Sequence, residues 1–225
     1  MQQPSRSISS SQVGIHPKLA SLVKRHQHSE WREPLAPHNQ LAIAALEEWL
    51  AKGSGALIVD SFCGTGQSTA ALAAMYPDRR VLGIDKSAHR LARHGEQSTD
   101  NYLLLQADCE PLWAWMNARQ IQVEAHYLLY PNPWPKPSQL KRRIHGHPAF
   151  PLLLAMGGRV ELRSNWQIYV EEFGLAMGLS GRLGVVKEYQ PTEPLTLFER
   201  KYQDSGHTLW LFTASRPCDG NQMMV

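Results

Sequence analysis

Seven residues in the middle of the chain, Tyr130 to Lys136, place an amide, a flat aromatic ring and a cation at alternate positions. They read Tyr-Pro-Asn-Pro-Trp-Pro-Lys. Each proline fixes its own φ and favours an extended residue before it, so Asn132, Trp134 and Lys136 are expected along a stiff ribbon. Such a set suits a planar, polar and anionic ligand such as a nucleotide base with its phosphate. A proline-rich surface turn is the alternative, and the motif alone does not separate the two.

Basic side chains follow this loop. No Asp or Glu occurs between Glu124 and Glu161, although the net charge of the whole chain is only +3. Affinity for polyanions therefore has to come from clustering rather than from the total charge. The sequence predicts a phosphate-binding patch beside the loop, formed by Lys136, Lys141, Arg142 and Arg143.

A second candidate site begins where the apolar run 56–59 ends in Asp60 and leads into the turn Cys63-Gly64-Thr65-Gly66. A strand, a glycine turn and a helix form the ligand-binding unit of doubly wound α/β proteins, because glycine accepts a positive φ and lets a ligand approach the backbone. Asp85 ends the next apolar run, where an acid can accept hydrogen bonds from ribose hydroxyls. Asp108 follows the third run and can lie near a bound adenine. Capping of a helix N-terminus is the alternative for both acids.

Alternating strands and helices must position these residues. The apolar runs predict parallel strands over 56–60, 81–84, 102–106, 126–130 and 159–162, separated by helices in an α/β, doubly wound (Rossmann-like) domain. Every candidate residue then lies at the carboxyl edge of one sheet, where such folds bind ligands. The fifth strand brings Asn165 to the same edge, a sixth strand covers 183–186, and a last strand over 208–213 is expected to pair antiparallel.

Length and composition indicate one domain of 225 residues with 43% hydrophobic residues. The serine-rich start, 1–14, is predicted to be a disordered tail, 15–214 the domain, and 215–225 a loose tail. The odd count of cysteines, Cys63, Cys109 and Cys218, favours a reducing cytoplasm over a disulfide framework. No metal-ligand spacing and no run long enough to span a bilayer occurs, and the sequence leaves monomer and homodimer open.

Three motifs together give the chain a family resemblance. They are the proline-tryptophan loop with its basic run, the stretch Leu195-Thr196-Leu197-Phe198-Glu199-Arg200-Lys201 followed by Gly206-His207, and the glycine turn with its acids. With these, the region from about Ala56 to Phe212 resembles the tRNA guanine-N7 methyltransferases, a family of class I S-adenosylmethionine-dependent methyltransferases. The resemblance implies a mostly parallel seven-stranded sheet with helices on both faces.

The resemblance also implies roles for individual positions. Asp60 with the Cys63, Gly64 and Gly66 turn would hold the methionine end of S-adenosylmethionine, Asp85 its ribose and Asp108 its adenine. Asn132 would lie where the cofactor meets the guanine of a tRNA substrate. Contacts to that RNA are implied for Lys136, Asn165, Thr196, Phe198 and Glu199.

The chain departs from the family pattern on the side that would meet the base. The family usually has Asp where this chain has Asn132 and Asn165, and an arginine-histidine pair at Ser138-Gln139. Guanine N7 carries a lone pair and no proton, so methyl transfer needs alignment but no general base, and Asn does not forbid it. An amide nevertheless offers one acceptor where a carboxylate offers two, so guanine selection is expected to weaken.

Two further functions follow from these departures. Asn132-Pro133-Trp134 with the glycine turn also resembles methyltransferases that modify exocyclic amines of bases, in which Trp134 would stack on the base. That hypothesis leaves Thr196 to Lys201 without a role. A catalytically weak RNA-binding paralogue is the third possibility, and intact cofactor binding without transfer to any RNA would distinguish it.

Overall fold

A single seven-stranded sheet organises the chain in the computed structural model, which describes residues 5–95 and 99–215. The strand order is β3-β2-β1-β4-β5-β7-β6, and β7 runs antiparallel to both of its neighbours, β5 and β6, whereas the other pairs are parallel. The strands are β1 (Leu57–Ser61), β2 (Arg80–Asp85), β3 (Tyr102–Gln106), β4 (Ala125–Leu129), β5 (Arg159–Ser164), β6 (Val185–Tyr189) and β7 (Leu209–Ala214). The predicted doubly wound, mostly parallel sheet is confirmed.

Helices cover both faces of the sheet because the side chains of its strands alternate. In β1, Leu57 and Val59 join the larger core cluster and Ile58 joins the smaller one on the opposite face. The helices are α1 (Leu19–Gln27), α2 (Pro37–Ala51), α3 (Gln67–Met75), α4 (Ala88–Leu91), α5 (Cys109–Ala118), α6 (Phe150–Ala155), α7 (Gln167–Leu179) and α8 (Leu197–Asp204). The larger cluster includes α1, α2, α5 and α7, and the smaller one includes α3 and α8.

The N-terminal segment does not behave as the predicted disordered tail. Ser5 N donates to Ser205 Oγ at 2.8 Å, and Ser10 Oγ donates to the Pro135 carbonyl at 2.5 Å. Residues 5–14 therefore lie along the body of the protein and contact the proline loop, which corrects the prediction for this part of the tail. Residues 1–4 and 216–225, with Cys218 and most of the predicted C-terminal tail, lie outside the described residues.

Across 5–95 and 99–215, no helix is both long and apolar enough to cross a membrane.

Candidate functional site

A cavity of about 1210 Å³ opens at the carboxyl edge of the sheet. Its walls come from the loops after β1, β3 and β4 and from the start of α8. Pockets for a single small ligand usually have volumes of roughly 300–1,000 Å³, and the volume of this cavity lies above that range. Seven of the predicted site residues line it: Cys63, Gly64, Asp108, Asn132, Arg142, Thr196 and Phe198.

The glycine turn has the geometry that its sequence predicts. Gly64 and Gly66 have φ angles of +65° and +76°, which glycine adopts without strain. A Cβ added to Gly64 would meet nothing within 4 Å, whereas one at Gly66 would lie 2.5 Å from Leu104 Cδ1. Gly64 therefore keeps backbone open towards the cavity, and Gly66 allows the turn to pack on the sheet.

Phe62 lies in the same turn and was not identified from the sequence. Its φ is +63°, in the left-handed region that bulky residues rarely adopt. The ring packs edge-to-face against Trp113 with centroids 5.9 Å apart and also lines the cavity. No sequence pattern signals a positive φ at an aromatic residue.

Asp60 is fully buried beneath the turn and does not line the cavity. Its Oδ2 accepts hydrogen bonds from Ser68 Oγ at 2.6 Å and Thr69 Oγ1 at 2.8 Å, whereas Oδ1 has no partner among the described residues. Burial raises the pKa of Asp60 to about 6. One carboxylate oxygen is thus left without a partner directly below the glycine turn.

Asp85 supports the turn from the side. Its carboxylate accepts from Gly64 N at 2.9 Å and Ser87 N at 2.8 Å and pairs with Arg90 at 2.8 Å, and only 1% of the residue is exposed. Arg90 lines the cavity, but Asp85 does not. The ribose contact of Asp85 stays a prediction.

Asp108 lines the cavity and is held by the first turn of α2. Its Oδ2 lies 3.0 Å from His38 Nε2 and accepts from Asn39 Nδ2 at 3.3 Å, and its backbone N donates to Asn39 Oδ1 at 2.9 Å. No local sequence pattern identifies His38 or Asn39 as partners of Asp108, because they precede it by about 70 residues.

The proline loop places Asn132 and Trp134 on the cavity wall. Asn132 is exposed, and its Oδ1 accepts a hydrogen bond of 3.4 Å from Trp134 N. Trp134 has a φ of +45°, so the prediction that it is extended is wrong. The turn closed by Asn132 outweighs the preference that the following proline imposes. Arg142 covers the Trp134 ring with its guanidinium carbon 4.8 Å from the ring centroid.

The start of α8 forms the wall next to the loop. Thr196 caps the helix, since its Oγ1 accepts from Glu199 N at 2.9 Å. Phe198 is 48% exposed and lines the cavity. Its ring stacks on Tyr202 with centroids 6.1 Å apart, and Tyr202 stacks on His207 at 5.3 Å. Phe198 therefore presents an aromatic surface that stacked rings support from behind.

Glu199 is fully buried and does not take its predicted role as a substrate contact. Its carboxylate accepts from Leu195 N at 2.7 Å and Tyr130 Oη at 2.9 Å and pairs with Arg163 at 3.0 Å. These partners use the acceptors that an RNA base would need. Glu199 joins α8 to the ends of β4 and β5 and does not reach the cavity.

Arg143 was predicted to belong to the phosphate-binding patch, and this prediction is wrong. Its guanidinium is fully buried and cannot hold an external phosphate. It pairs with Glu172, which is also fully buried and lies 3.0 Å from His145 Nε2. Burial alone would raise the pKa of Glu172, but the hydrogen bond from His145, together with Arg143 and the His16 N–H, lowers it to about 2. We call Arg143, His145 and Glu172 the buried charge cluster.

The other predicted RNA contacts remain available to solvent. Lys136, Lys141 and Arg142 are exposed, and none of them pairs with a carboxylate in 5–95 or 99–215. Asn165 lies at the end of β5 with its amide nitrogen 3.1 Å from His207 Nδ1, and it does not line the cavity. Five cations that the sequence interpretation did not assign do line it: Lys86, Arg90, Arg93, Arg200 and Lys201.

Covalent and metal chemistry find no support in the described residues. Cys63 and Cys109 are buried, and burial raises the pKa of both thiols, which disfavours the nucleophilic thiolate. No group of three or more His, Cys, Asp or Glu within these residues is placed to hold a metal ion.

The strand order, the antiparallel β7 and the glycine turn after β1 define a class I S-adenosylmethionine-dependent methyltransferase. A family model described as "Putative methyltransferase" matches residues 54–212, and several tRNA (guanine-N(7)-)-methyltransferases are similar in sequence. The chain belongs to the tRNA (guanine-N7-)-methyltransferase family.

Three relatives show the extent of the match. The enzyme of Acidovorax sp. (strain JS42) is 30% identical, over 87% of this chain and 85% of that protein. That of Thiobacillus denitrificans (strain ATCC 25259 / T1) is 30% identical, over 65% and 69%. That of Nocardioides sp. (strain ATCC BAA-499 / JS614) is 31% identical, over 69% and 66%, so the match spans about two thirds of these last two proteins.

Solved structures agree on the fold. An antibiotic-related methyltransferase superposes with a TM-score of 0.55 at 13% identity, covering 83% of this chain and 96% of that one. The 16S rRNA methyltransferase KamB gives 0.53 at 19% identity, covering 77% and 94%. At such identities the likeness shows the fold alone.

Proposed function

We propose that this protein transfers a methyl group from S-adenosylmethionine to N7 of a guanine in tRNA. The observation that carries the proposal is the set of residues that lines the cavity. The glycine turn and Asp108 border it on one side, and Asn132, Trp134 and Phe198 border it on the other. The relatives named as tRNA (guanine-N(7)-)-methyltransferases support guanine N7 as the acceptor.

The residues present fit the cofactor. Gly64 leaves open space where a side chain would stand, the Asp60 Oδ1 has no partner within 5–95 and 99–215, and Asp108 offers a half-exposed carboxylate. Asp60 and the turn Cys63 to Gly66 would hold the methionine end, Asp85 the ribose, and Asp108 the adenine. When bound, S-adenosylmethionine supplies a methyl group on a positively charged sulfur, which leaves as a neutral thioether.

The chain's own residues contribute alignment. The N7 lone pair forms the new bond to carbon as the carbon–sulfur bond breaks, and no proton moves, so no general base is required. Asn132 would accept a hydrogen bond from the guanine edge, and Trp134 and Phe198 would bound the base. Lys136, Lys141, Arg142, Asn165 and Thr196 are proposed to contact the RNA. The buried free thiols fit a reducing compartment, so we place the reaction in the cytoplasm.

The test is to incubate the purified protein with methyl-labelled S-adenosylmethionine and unmodified bulk tRNA and to digest the RNA. We expect the label in 7-methylguanosine. Label on an exocyclic amine would instead establish the second candidate, which the exposed Asn132 amide beside Trp134 favours. Binding of the cofactor without any labelled nucleoside would refute both reactions on tRNA.

Replacing Asp108 by alanine tests the cofactor side. Loss of a carboxylate that accepts hydrogen bonds costs about 1.5 kcal/mol or more, so we expect S-adenosylhomocysteine to bind roughly tenfold more weakly by calorimetry. Asp100→Ala removes an exposed acid that does not line the cavity and should leave the affinity unchanged. Equal affinities for the two variants would remove Asp108 from the cofactor site.

A further inference from the structure

A second groove lies between α1 and the 3₁₀ helix Pro137–Arg142, with a volume of about 780 Å³. We call it the α1 groove and define it by Lys18, Ser21, Arg25, Ser138 and Lys141, which line it from both sides. Neither the cofactor nor the base of the proposed reaction requires it. Its lining identifies the kind of ligand that it can hold.

The residues that line the α1 groove include three cations and no acid. Lys18, Arg25 and Lys141 are exposed, and none of them pairs with a carboxylate in the part of the chain that the structure describes. Burial lowers the pKa of the neighbouring His26, and the charges of Arg25 and Lys141 lower it further. Three uncompensated cations and the Ser138 hydroxyl in one concave surface match phosphate oxygens, whereas the Ser21 hydroxyl donates to the Lys18 carbonyl at 3.0 Å.

Helix stability does not explain Lys18. It occupies the N-cap of α1, where the helix dipole disfavours a cation, and its side chain makes no capping hydrogen bond. Arg25 lies in the last turn, where a cation is favourable, so its position alone has a structural reason. Lys18 therefore stands where the helix dipole disfavours it, and its charge adds to those of Arg25 and Lys141 in the groove.

The buried charge cluster fixes the two sides of the groove to each other. Glu172 accepts from His16 N at 2.8 Å, just before α1, and it pairs with Arg143, just after the 3₁₀ helix. Gln12 bridges the same two side chains, accepting from Arg143 at 2.9 Å and donating to Glu172 at 2.6 Å. The two segments that carry the cations are thus joined before any ligand arrives, which lowers the cost of binding.

The groove adjoins the active-site cavity through consecutive residues of the 3₁₀ helix. Lys141 lines the groove, whereas Arg142 lines the cavity and covers Trp134. We propose that the α1 groove binds the phosphate backbone of the RNA substrate beside the nucleotide whose base enters the cavity. The choice of RNA as the ligand of the groove rests on the proposed function. In that proposal one RNA chain places its base in the cavity and its backbone in the adjoining groove.

The test compares two double variants of equal charge. Lys18→Ala/Arg25→Ala removes cations of the groove, and Lys24→Ala/Lys187→Ala removes two exposed cations that line neither cavity. Binding of unmodified tRNA is measured from 50 to 300 mM salt. Each phosphate contact contributes about 0.7–0.9 to the slope of log K against log salt, so the groove variant should lose about 1.4–1.8 of that slope. The control variant should keep it.

The outcomes separate the groove from the reaction. The proposal would be overturned if the groove variant and the control variant had equal tRNA affinities and equal salt slopes, whether both values fell or neither did. Unchanged S-adenosylhomocysteine binding and unchanged thermal unfolding in the groove variant, with weaker tRNA binding, would support it. Because the readout is RNA binding, it stays interpretable if the parent protein forms no 7-methylguanosine, a result that would refute the proposed function alone.

Discussion

Replacing Glu172 by alanine is expected to lower the free energy of unfolding by about 3–5 kcal/mol, because it leaves the Arg143 guanidinium buried without a counter-charge. His16 N and Gln12 Nε2 lose their acceptor in the same step. Single domains are usually stable by only about 5–15 kcal/mol, so the loss is a large part of the total. Equilibrium unfolding in urea, monitored by tryptophan fluorescence, measures it.

Two further variants show whether an unpaired buried charge is the cause. Glu48→Ala removes an exposed carboxylate from an ion pair with Lys52 and should barely move the urea midpoint. Arg143→Met/Glu172→Leu removes both buried charges and should recover much of the stability, since apolar residues can replace a buried pair at little cost. If the double variant were no more stable than Glu172→Ala, lost packing rather than the unpaired charge would explain the effect.

The sequence predicted the sheet well because its signals are local. Strands β1 to β4 are largely apolar runs, and the glycine turn after β1 indicates both the helix that follows and the ligand-binding edge. Asp60, Gly64 and Asp108 were therefore placed correctly around one edge. The composition of the start of the chain was misleading for a physical reason: its serines and glutamines make the hydrogen bonds that attach residues 5–14 to the body of the protein.

The errors within the site concern charges whose partners lie far away in the chain. Arg143 and Lys141 look alike in a basic run, but Glu172 on α7 makes the first an interior ion pair. Glu199 looks like a substrate contact until Arg163 and Tyr130 are seen to use its oxygens. Burial of a charge depends on the tertiary arrangement of its counter-charge, which no local pattern encodes.

Asn132→Asp is the most informative change in the active site. Asn132 is exposed to the cavity, and its Oδ1 accepts only the long hydrogen bond from Trp134 N, which a carboxylate oxygen can also accept. Aspartate would add a second acceptor for the N1–H and amino groups of guanine. Such a contact to a charged group contributes about 1.5 kcal/mol or more, so we expect kcat/KM for 7-methylguanosine formation in tRNA to rise roughly tenfold.

Asn132→Ala provides the matched control, since it removes the one acceptor that the amide offers and should lower kcat/KM below that of the parent protein. The order Asp above Asn above Ala is what selection by hydrogen-bond acceptors requires. An amine methyltransferase would give a different order, because there the amide oxygen must accept from the amine while the base stays neutral. If Asn132→Asp lost activity while the parent protein methylated an exocyclic amine, Asn132 would be the residue that selects the amine, and guanine N7 would be the wrong acceptor.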